Sequence, residues 1–316
     1  MIKGKVFSIL CLLIAGLLIT TAFTSCERPP DRVESVSQES VAPPEPYPVN
    51  VGGITFEESP QTIISLSPYL TELVFGLGYG NRLIGVSSYC DYPEQAKEIE
   101  SFGSGVKPEI DAIIAAKPDL LLCQSELSLM DKSQVSGAGI KVLTIAAPST
   151  INAVYQAYTS IAVVMEGKVT ADAAARKVYT ELDTKVSQIM EKEYPFESFV
   201  YIAAPNMAIA TADTLESNVL SLFGSNIAND GEAFGYDFPL AKIVEADPDI
   251  IFLASPMTIA DLKSNDSLSA LSAVKAGRVY VIDNKPFERP SIRIIDQLTA
   301  IDEMLSPAQT AQTEAP

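Results

Sequence analysis

Tyrosine side chains follow short apolar segments of this chain at the points where strands would end. Tyr69 comes after the apolar run 63–66. Tyr89 and Tyr92 come after the run 83–86. A tyrosine in such a position can stack its ring on a flat ligand while its hydroxyl makes a hydrogen bond. Ligands of an open parallel sheet bind beyond the carboxyl ends of its strands, so these residues predict a binding rim.

Other residues extend this rim. Ser67 lies between the first run and Pro68, which ends the strand because proline has no N–H for the ladder. In the second half of the chain, Phe234 and Tyr236 lie in one loop, where they either form a facing aromatic wall or pack the loop itself. Arg289 follows the last apolar run and could meet an anionic group of a ligand or pair with a neighbouring acid.

The composition excludes several kinds of chemistry. The 316 residues include no His, which removes Ser-His-Asp and Cys-His nucleophiles and every histidine metal site. There is no Trp, so an aromatic clamp must use Tyr or Phe. The formal net charge of −18 argues against binding to nucleic acid or to anionic lipid. Carboxylate chemistry remains possible.

The N-terminus predicts export. Lys3 and Lys5 precede an apolar run over 6–19, which is short for a membrane span, and small residues then lead to Cys26. This ending resembles a bacterial lipoprotein signal, although Phe23 replaces the usual Leu. The resemblance implies a signal peptide over 1–26 and a lipidated Cys26 as the mature N-terminus. Ordinary secretion and an uncleaved anchor are the alternatives.

Two further segments are predicted to be disordered, and the sequence leaves open whether two cysteines form a disulfide. Residues 27–48 are rich in Pro, Glu and Ser and predict a tether, and 306–316 predicts a similar tail. Cys90 and Cys123 both follow predicted strands. They could form a disulfide in an exported protein, or they could be two small apolar side chains.

The body of the chain contains an internal repeat. The segment IIAAKPDLLLC from Ile113 matches IVEADPDIIFL from Ile243, each with a helix end, Pro-Asp and a continuous apolar strand. Continuous apolarity suits a strand buried on both faces of a parallel sheet. We therefore predict an α/β fold with two Rossmann-like lobes, over 49–149 and 196–285, and a cleft between them.

Helices complete the predicted body. Residues 150–195 have apolar residues at helical spacing, no proline before Pro195 and one glycine, Gly167. This pattern predicts one long helix or two in near continuity, and a last helix is expected over 286–305. A stiff helical connection has little hinge capacity, so we expect the cleft to close only slightly.

Taken in order, four features resemble the helical-backbone substrate-binding proteins of bacterial ABC importers for vitamin B12, haem and ferric siderophores. They are the strand-Ser-Pro-x-x-Thr-Glu opening, the Lys-Pro-Asp-Leu block, the long linking helix and the GRVYVID…FERPSIR ending. The resemblance implies a monomeric, lipid-anchored extracytoplasmic protein. It would bind a metal chelate without catalysis or a resident cofactor or metal, and would deliver it to a permease with an ATPase subunit.

The segment from Gly85 is most similar to the cobalamin-binding members. That similarity implies ligand contacts at Tyr89, Phe287 and Arg289. Those members place Trp at the positions of Gly105 and Gln124, and Gln124 is accordingly also a ligand candidate. Because this chain has no Trp, cobalamin, another corrinoid and a ferric siderophore all stay open. Haem also stays open but is disfavoured, because there is no His to serve as its axial ligand, although a Tyr can take that role.

The resemblance also implies a docking acid in each lobe. In lobe one it falls on Asp111, with Glu109 adjacent, and both also suit the N-terminus of a helix. In lobe two it falls near Ala241, which carries no charge. Three acids nearby could substitute: Glu245, Asp237 and Glu232.

Two alternatives come from other functional classes. A secreted glycosidase-like hydrolase would place two carboxylates inside the cleft, about 5–10 Å apart. A surface adhesion or sensor module would keep the lobes but lack a permease partner. The clustering of Tyr and Phe at the strand ends favours binding over hydrolysis.

Overall fold

The apolar segments of the first half form a parallel sheet because they are buried on both faces. A computed structural model describes residues 45–204 and 206–306. The elements of lobe one are β1 (Val49–Val51), β2 (Ile54–Phe56), β3 (Ile63–Ser65), α1 (Pro68–Gly76), β4 (Leu83–Val86), α2 (Ile110–Ala116), β5 (Leu120–Cys123), α3 (Leu129–Gly137) and β6 (Lys141–Thr144). The parallel strands have the order β4-β3-β5-β6, and β1 and β2 form a separate antiparallel pair.

The segments of the second half repeat this arrangement. After the two helices α4 (Ile151–Glu166) and α5 (Ala171–Met190), the elements are β7 (Ser198–Ala204), β8 (Ala208–Ile209), α6 (Leu215–Leu220), β9 (Ser225–Asn226), α7 (Leu240–Ala246), β10 (Ile250–Ala254), α8 (Ile259–Lys263), α9 (Asp266–Ser269), α10 (Ser272–Lys275), β11 (Val279–Ile282), α11 (Lys285–Glu288) and α12 (Ile294–Leu305). The parallel strands have the order β9-β7-β10-β11, with β8 antiparallel to β7. The predicted two-lobed α/β fold class is confirmed.

The Pro-Asp of the repeat has the same structural task in each lobe. Asp119 Oδ2 accepts hydrogen bonds from the amides of residues 61–62 at 2.8 and 2.9 Å. Asp249 Oδ2 accepts from the amides of residues 197–198 at 3.0 and 2.9 Å. These amides precede the first strand of each sheet and would otherwise lack a backbone partner. The repeated sequence therefore encodes a repeated strand start.

The segment 150–195 is a helical hairpin and not a continuous rod. The Tyr179 hydroxyl in α5 donates to the carbonyl of Ile151, the first residue of α4, at 3.1 Å. Such a contact requires the second helix to fold back along the first. The break falls at Gly167, whose φ of +76° lies in the region that favours glycine, and a Cβ there would collide with the Pro46 carbonyl.

The helix α4 bridges the two lobes. Its first amide, at Ile151, donates to Asn218 Oδ1 of lobe two at 3.0 Å. Near its other end, the carbonyl of Val164 accepts from the Tyr47 hydroxyl of lobe one at 2.8 Å. Residues 45–48, predicted as the end of the tether, are therefore part of the folded lobe. The predicted signal peptide with Cys26, the rest of the tether and the tail beyond Ser306 lie outside the described residues.

One hydrophobic core runs through both lobes. It contains Leu73 of α1, Tyr158 of α4, Leu182 of α5, Phe252 of β10 and Leu298 of α12, all fully buried. Each fully buried apolar side chain of this size contributes about 1.5–3 kcal/mol relative to exposure. A large hinge rotation would break this shared core, so the geometry agrees with the expectation of slight closure, which stays a prediction.

The predicted last helix over 286–305 is divided in the structure. The short helix α11 ends at Glu288, and α12 begins at Ile294. Residues 289–293 between them form an irregular segment, here called the strap, which crosses from lobe two to lobe one. None of the described helices has both the length and the hydropathy that a membrane span requires.

The strap is fixed to lobe one by a buried carboxylate. Ser291 Oγ donates to Glu72 Oε2 at 2.6 Å, and Arg293 Nη1 donates to Glu72 Oε1 at 3.0 Å. The Arg293 guanidinium also lies 4.3 Å from the ring centroid of Tyr92. Glu72 is 4% exposed. Burial raises the pKa of Glu72, against the opposing effects of the Ser291 hydrogen bond and the Arg293 charge.

We predict that Arg293→Ala lowers the free energy of unfolding by about 3 kcal/mol at pH 7, because it leaves a buried carboxylate without its cation. The pKa of Glu72 in the folded protein then rises further above its unfolded value. The ionised carboxylate destabilises the folded state above that pKa, so the loss should shrink as the pH falls and Glu72 takes up a proton. Urea unfolding of both proteins between pH 5 and 8 measures this difference.

Two controls isolate the buried pair. The double variant Glu72→Gln/Arg293→Ala should recover much of the loss and show no such pH dependence. Arg176→Ala removes an exposed ion pair with Asp172, in which both side chains are more than 60% exposed, and should change the stability far less than Arg293→Ala. A loss for Arg293→Ala that stays constant with pH would contradict the assignment.

Candidate ligand-binding cleft

Two cavities lie at the carboxyl ends of the two sheets. The lobe-one cavity is bordered by residues that follow β3, β4 and β5, and the lobe-two cavity by residues at the ends of β7 and β11. Each has a volume of about 600 Å³, within the usual range for small-molecule sites. Glu288 lines both, so the two cavities adjoin and form one cleft between the lobes.

The floor of the lobe-one cavity joins two predicted site residues. Ser67 follows β3 and Gln124 follows β5, and these strands are neighbours in the sheet. Ser67 Oγ donates to Gln124 Oε1 at 2.9 Å. This bond uses the amide oxygen of Gln124 and leaves its NH₂ group as the donor for a ligand. Gly105, at the other position where the cobalamin-binding members place Trp, also lines this cavity.

The three tyrosines of the predicted rim have different environments. Tyr89 lines the lobe-one cavity and is 66% exposed, so its ring is free to stack on a ligand. Tyr92 lies outside both cavities, and one face of its ring is covered by Arg293. Tyr69 borders the cavity but is fully buried in the core, so the expectation that it stacks on a ligand is not supported.

The predicted aromatic wall of lobe two is divided. Tyr236 lines the lobe-two cavity, and its hydroxyl donates to Glu216 Oε1 at 2.9 Å. Phe234 is 69% exposed and lies in a separate hollow beside Glu232 and Lys242. The two side chains of this loop therefore point to different places, and the structure supports a cleft role for Tyr236 alone.

Residues at the junction of α11 and the strap face the cleft from both sides. Phe287 lines the lobe-two cavity but is buried, and its ring packs edge-on against Tyr201 with centroids 6.1 Å apart. Arg289 lines the lobe-one cavity and forms an ion pair with Asp91, one of the two interactions foreseen for it, although with a different acid. Phe287 thus supplies an apolar floor, and Arg289 is already neutralised.

Three acids line the cleft that the sequence had not pointed to. Glu216 is buried, and burial raises its pKa, against the hydrogen bonds from its own amide and from Tyr236. Hydrogen bonds from Thr211 Oγ1 at 2.6 Å and from the Gly235 amide at 2.8 Å lower the pKa of Asp213. Asp213 is therefore ionised at neutral pH.

The third acid, Glu288, belongs to a hydrogen-bonded row. Its Oε1 accepts from Asn284 Nδ2 at 2.9 Å, and Asn284 Oδ1 accepts from the Tyr201 hydroxyl at 2.6 Å. Thr214 is the N-cap of α6 as Ser67 is the N-cap of α1, and Asp213 and Glu216 lie on either side of Thr214. No metal-binding group of three or more His, Cys, Asp or Glu side chains occurs within residues 45–204 and 206–306.

The candidate docking acids lie at helix starts. Glu109 and Asp111 are both exposed at the start of α2. Ala241 has the equivalent position in α7, six residues before a left-handed C-terminal residue, as Asp111 has in α2. Glu245 lies in the last turn of α7, towards the amino end of β10 and away from the cleft. Glu232 accepts from Lys242, the neighbour of Ala241, at 3.0 Å.

Cys90 and Cys123 are free thiols. Cys90 Sγ lies 3.3 Å from Thr71 Oγ1, and Cys123 is buried in β5, where burial raises its pKa to about 12. The structure therefore agrees with the alternative of two small packed side chains and not with a disulfide.

The chain is similar to known proteins in sequence. A family model described as periplasmic binding protein matches residues 63–286. The chain is 25% identical over 304 residues to YvrC of Bacillus subtilis, which is described as an uncharacterized ABC transporter substrate-binding lipoprotein, covering 93% of this chain and 96% of that protein. It is 26% identical over 240 residues to a vitamin B12-binding protein of Yersinia pseudotuberculosis, covering 75% and 84%.

Solved structures share the fold. The periplasmic haem-binding protein HutB of Vibrio cholerae has a TM-score of 0.68 at 18% identity, covering 78% of this chain and 99% of that one. The periplasmic vitamin B12-binding protein BtuF of the same organism has a TM-score of 0.62 at 22% identity, covering 81% and 99%. The resemblance predicted from the sequence is confirmed, and these relatives are solute-binding proteins and not enzymes. Because the family match covers more than half of its length, the chain belongs to the periplasmic binding protein family, among the substrate-binding proteins of ABC importers.

Proposed function

We propose that this protein captures a metal chelate, either a corrinoid or a ferric siderophore, and delivers it to an ABC permease. The observation that carries the proposal is the pair of adjoining cavities of about 600 Å³ each, open between the ends of the two sheets. Together they offer space for a ligand that touches both lobes at once. Tyr89 presents a free aromatic face on one side and Tyr236 a ring on the other.

Two features of the sequence narrow the class of chelate. The chain has no His to coordinate a haem iron. The positions at which the similar cobalamin-binding proteins carry Trp are occupied by Gly105 and Gln124, and both line the lobe-one cavity. A small residue and an amide leave more room and more hydrogen-bonding capacity than two indoles. This exchange supports a chelate that is larger or more polar in that region than the one bound by those relatives.

The hydrolase alternative is not supported. Acids do line the lobe-two cavity, as that alternative requires, but Glu216 is bonded to Tyr236 and Glu288 to Asn284. The family to which the chain belongs binds solutes without converting them. The acids are therefore interpreted as part of the binding surface.

We propose that the protein is monomeric and anchored outside the cytoplasm through lipid on Cys26. The basic start, the short apolar run and the small residues before this cysteine support the anchor, as does the lipoprotein description of YvrC. Cys26→Ala should abolish incorporation of labelled fatty acid and release the protein from the membrane fraction. Retention of the label in that variant would remove the anchor from the proposal.

The ligand is to be identified by titrating the purified protein with cobalamin, haem and several ferric siderophores and following tyrosine fluorescence. We expect micromolar or tighter affinity for a corrinoid or a siderophore. Tyr89→Ala should weaken that affinity about tenfold through loss of ring stacking, without changing the melting temperature. Phe234→Ala is the matched control, because Phe234 is equally exposed but lies outside the cleft. Equal affinity of Tyr89→Ala and the wild type would remove Tyr89 from the site.

Docking is tested separately from binding. Asp111→Asn should leave the affinity for the ligand unchanged and lower uptake at least tenfold in cells or vesicles that contain the permease, because a charge that pairs across an interface is lost. Glu245→Gln carries the same charge change at the other end of the sheet and should transport like the wild type. Loss of uptake in Glu245→Gln and not in Asp111→Asn would reverse the assignment.

A further inference from the structure

Among the described residues, more acidic than cationic side chains line the cleft. Arg289 is the one cationic side chain that lines either cavity within residues 45–204 and 206–306. It is paired with Asp91, and its side chain is 17% exposed. An anionic ligand that reached Arg289 would compete with Asp91 for its positive charge.

The acids of lobe two are held in place and face the same space. Asp213 is fixed by the Thr211 hydroxyl and the Gly235 amide, and Glu288 by the Asn284 amide. Each of these partners donates one hydrogen bond to one carboxylate oxygen and leaves the second oxygen able to accept from a ligand. Glu288 occupies the boundary between the cavities, so any ligand that touches both lobes passes beside it.

We propose that Asp213 and Glu288 make the cleft selective by ligand charge, so that it takes neutral or cationic chelates with N–H donors on their rim and rejects polyanionic ones. This inference rests on the proposed function and narrows it. A chelate with peripheral amides or an ammonium group can donate to the free carboxylate oxygens. A porphyrin dicarboxylate or a tris-catecholate would place like charges beside these carboxylates.

The remaining polar groups of the cleft agree with this selectivity. The NH₂ group of Gln124 and the hydroxyls of Ser87 and Ser104 are neutral, so they can donate to the amide oxygens of such a chelate but cannot neutralise a carboxylate. Burial of an unpaired anion beside neutral groups is unfavourable, because the anion loses water without gaining a counter-charge. The polar groups of lobe one therefore suit a ligand whose outer groups are neutral, and the carboxylates of lobe two disfavour a ligand whose outer groups are negatively charged.

The test compares four probes at equal ionic strength: cyanocobalamin, which is neutral and carries carboxamides; ferrioxamine B, a cationic hydroxamate; haemin, a dicarboxylate; and ferric enterobactin, a trianion. We expect at least tenfold tighter binding of one of the first two than of either anion. The double variant Asp213→Asn/Glu288→Gln keeps the shapes and acceptor atoms and should reduce this discrimination about tenfold. Glu303→Gln changes an exposed acid on α12, away from the cleft, and should not alter the ratio of affinities.

Each other outcome has a distinct meaning. Tightest binding of haemin or ferric enterobactin would overturn the charge selectivity while leaving chelate binding in place. Unchanged discrimination in the double variant, with an unchanged melting temperature, would overturn the assignment to these two acids. Binding of none of the four probes, nor of other corrinoids and siderophores, would overturn the proposed function itself and this inference with it.

Discussion

Glu72 is a carboxylate held away from water in lobe one, and the groups that satisfy it come from the strap of lobe two. A buried carboxylate without partners is strongly destabilising, so this contact forces residues 291–293 against α1. The strap begins at Arg289, immediately after Glu288. Its attachment therefore also fixes where these two side chains stand at the boundary of the cleft. The contacts of Glu72 with the strap therefore help to set the geometry of the cleft, although they lie outside it.

The two lobes have one topology but different cleft chemistry. Both sheets have the same parallel strand order, and both use an aspartate to cap their first strand. The cleft surface of lobe one carries hydroxyls, an amide and the ring of Tyr89, whereas that of lobe two carries carboxylates. The difference lies in the segments after the strands, which can vary because the sheets do not depend on them. A repeated scaffold thus presents a cleft with two chemically different sides.

Much of the fold could be predicted from continuous apolar strands and the repeated Pro-Asp, because these patterns reflect local burial. The helical hairpin could not be separated from a continuous helix by periodicity, since both have the same apolar spacing. The two helices separate at Gly167, where the positive φ and the close approach of Pro46 favour glycine. Among the site residues, Ser67 and Gln124 meet because their strands are neighbours in the sheet, a relation that sequence spacing alone does not show.

Two of the predicted site residues have environments that the sequence does not show. Tyr69 and Tyr92 occupy the predicted strand ends, but Tyr69 is enclosed by the core, and Arg293, about 200 residues later in the chain, lies over one face of the Tyr92 ring. Exposure of a side chain depends on such distant contacts. Acids near helix starts are common on any protein surface, so the sequence does not mark Asp213 and Glu216 as cleft residues. The two acids are recognised as cleft residues only when α6 is matched with α1.

A shared core raises the question of how a permease could distinguish the loaded protein from the empty one. In lobe one, residues 104–106 line the cavity, and the docking candidates Glu109 and Asp111 follow within one short segment. In lobe two, Gly235 and Tyr236 line the cavity, and α7 starts at Leu240. Ligand contact and candidate docking surface are therefore only a few residues apart in each lobe. A local shift of these segments on binding would reach the permease directly, so a large rotation of the lobes is not required.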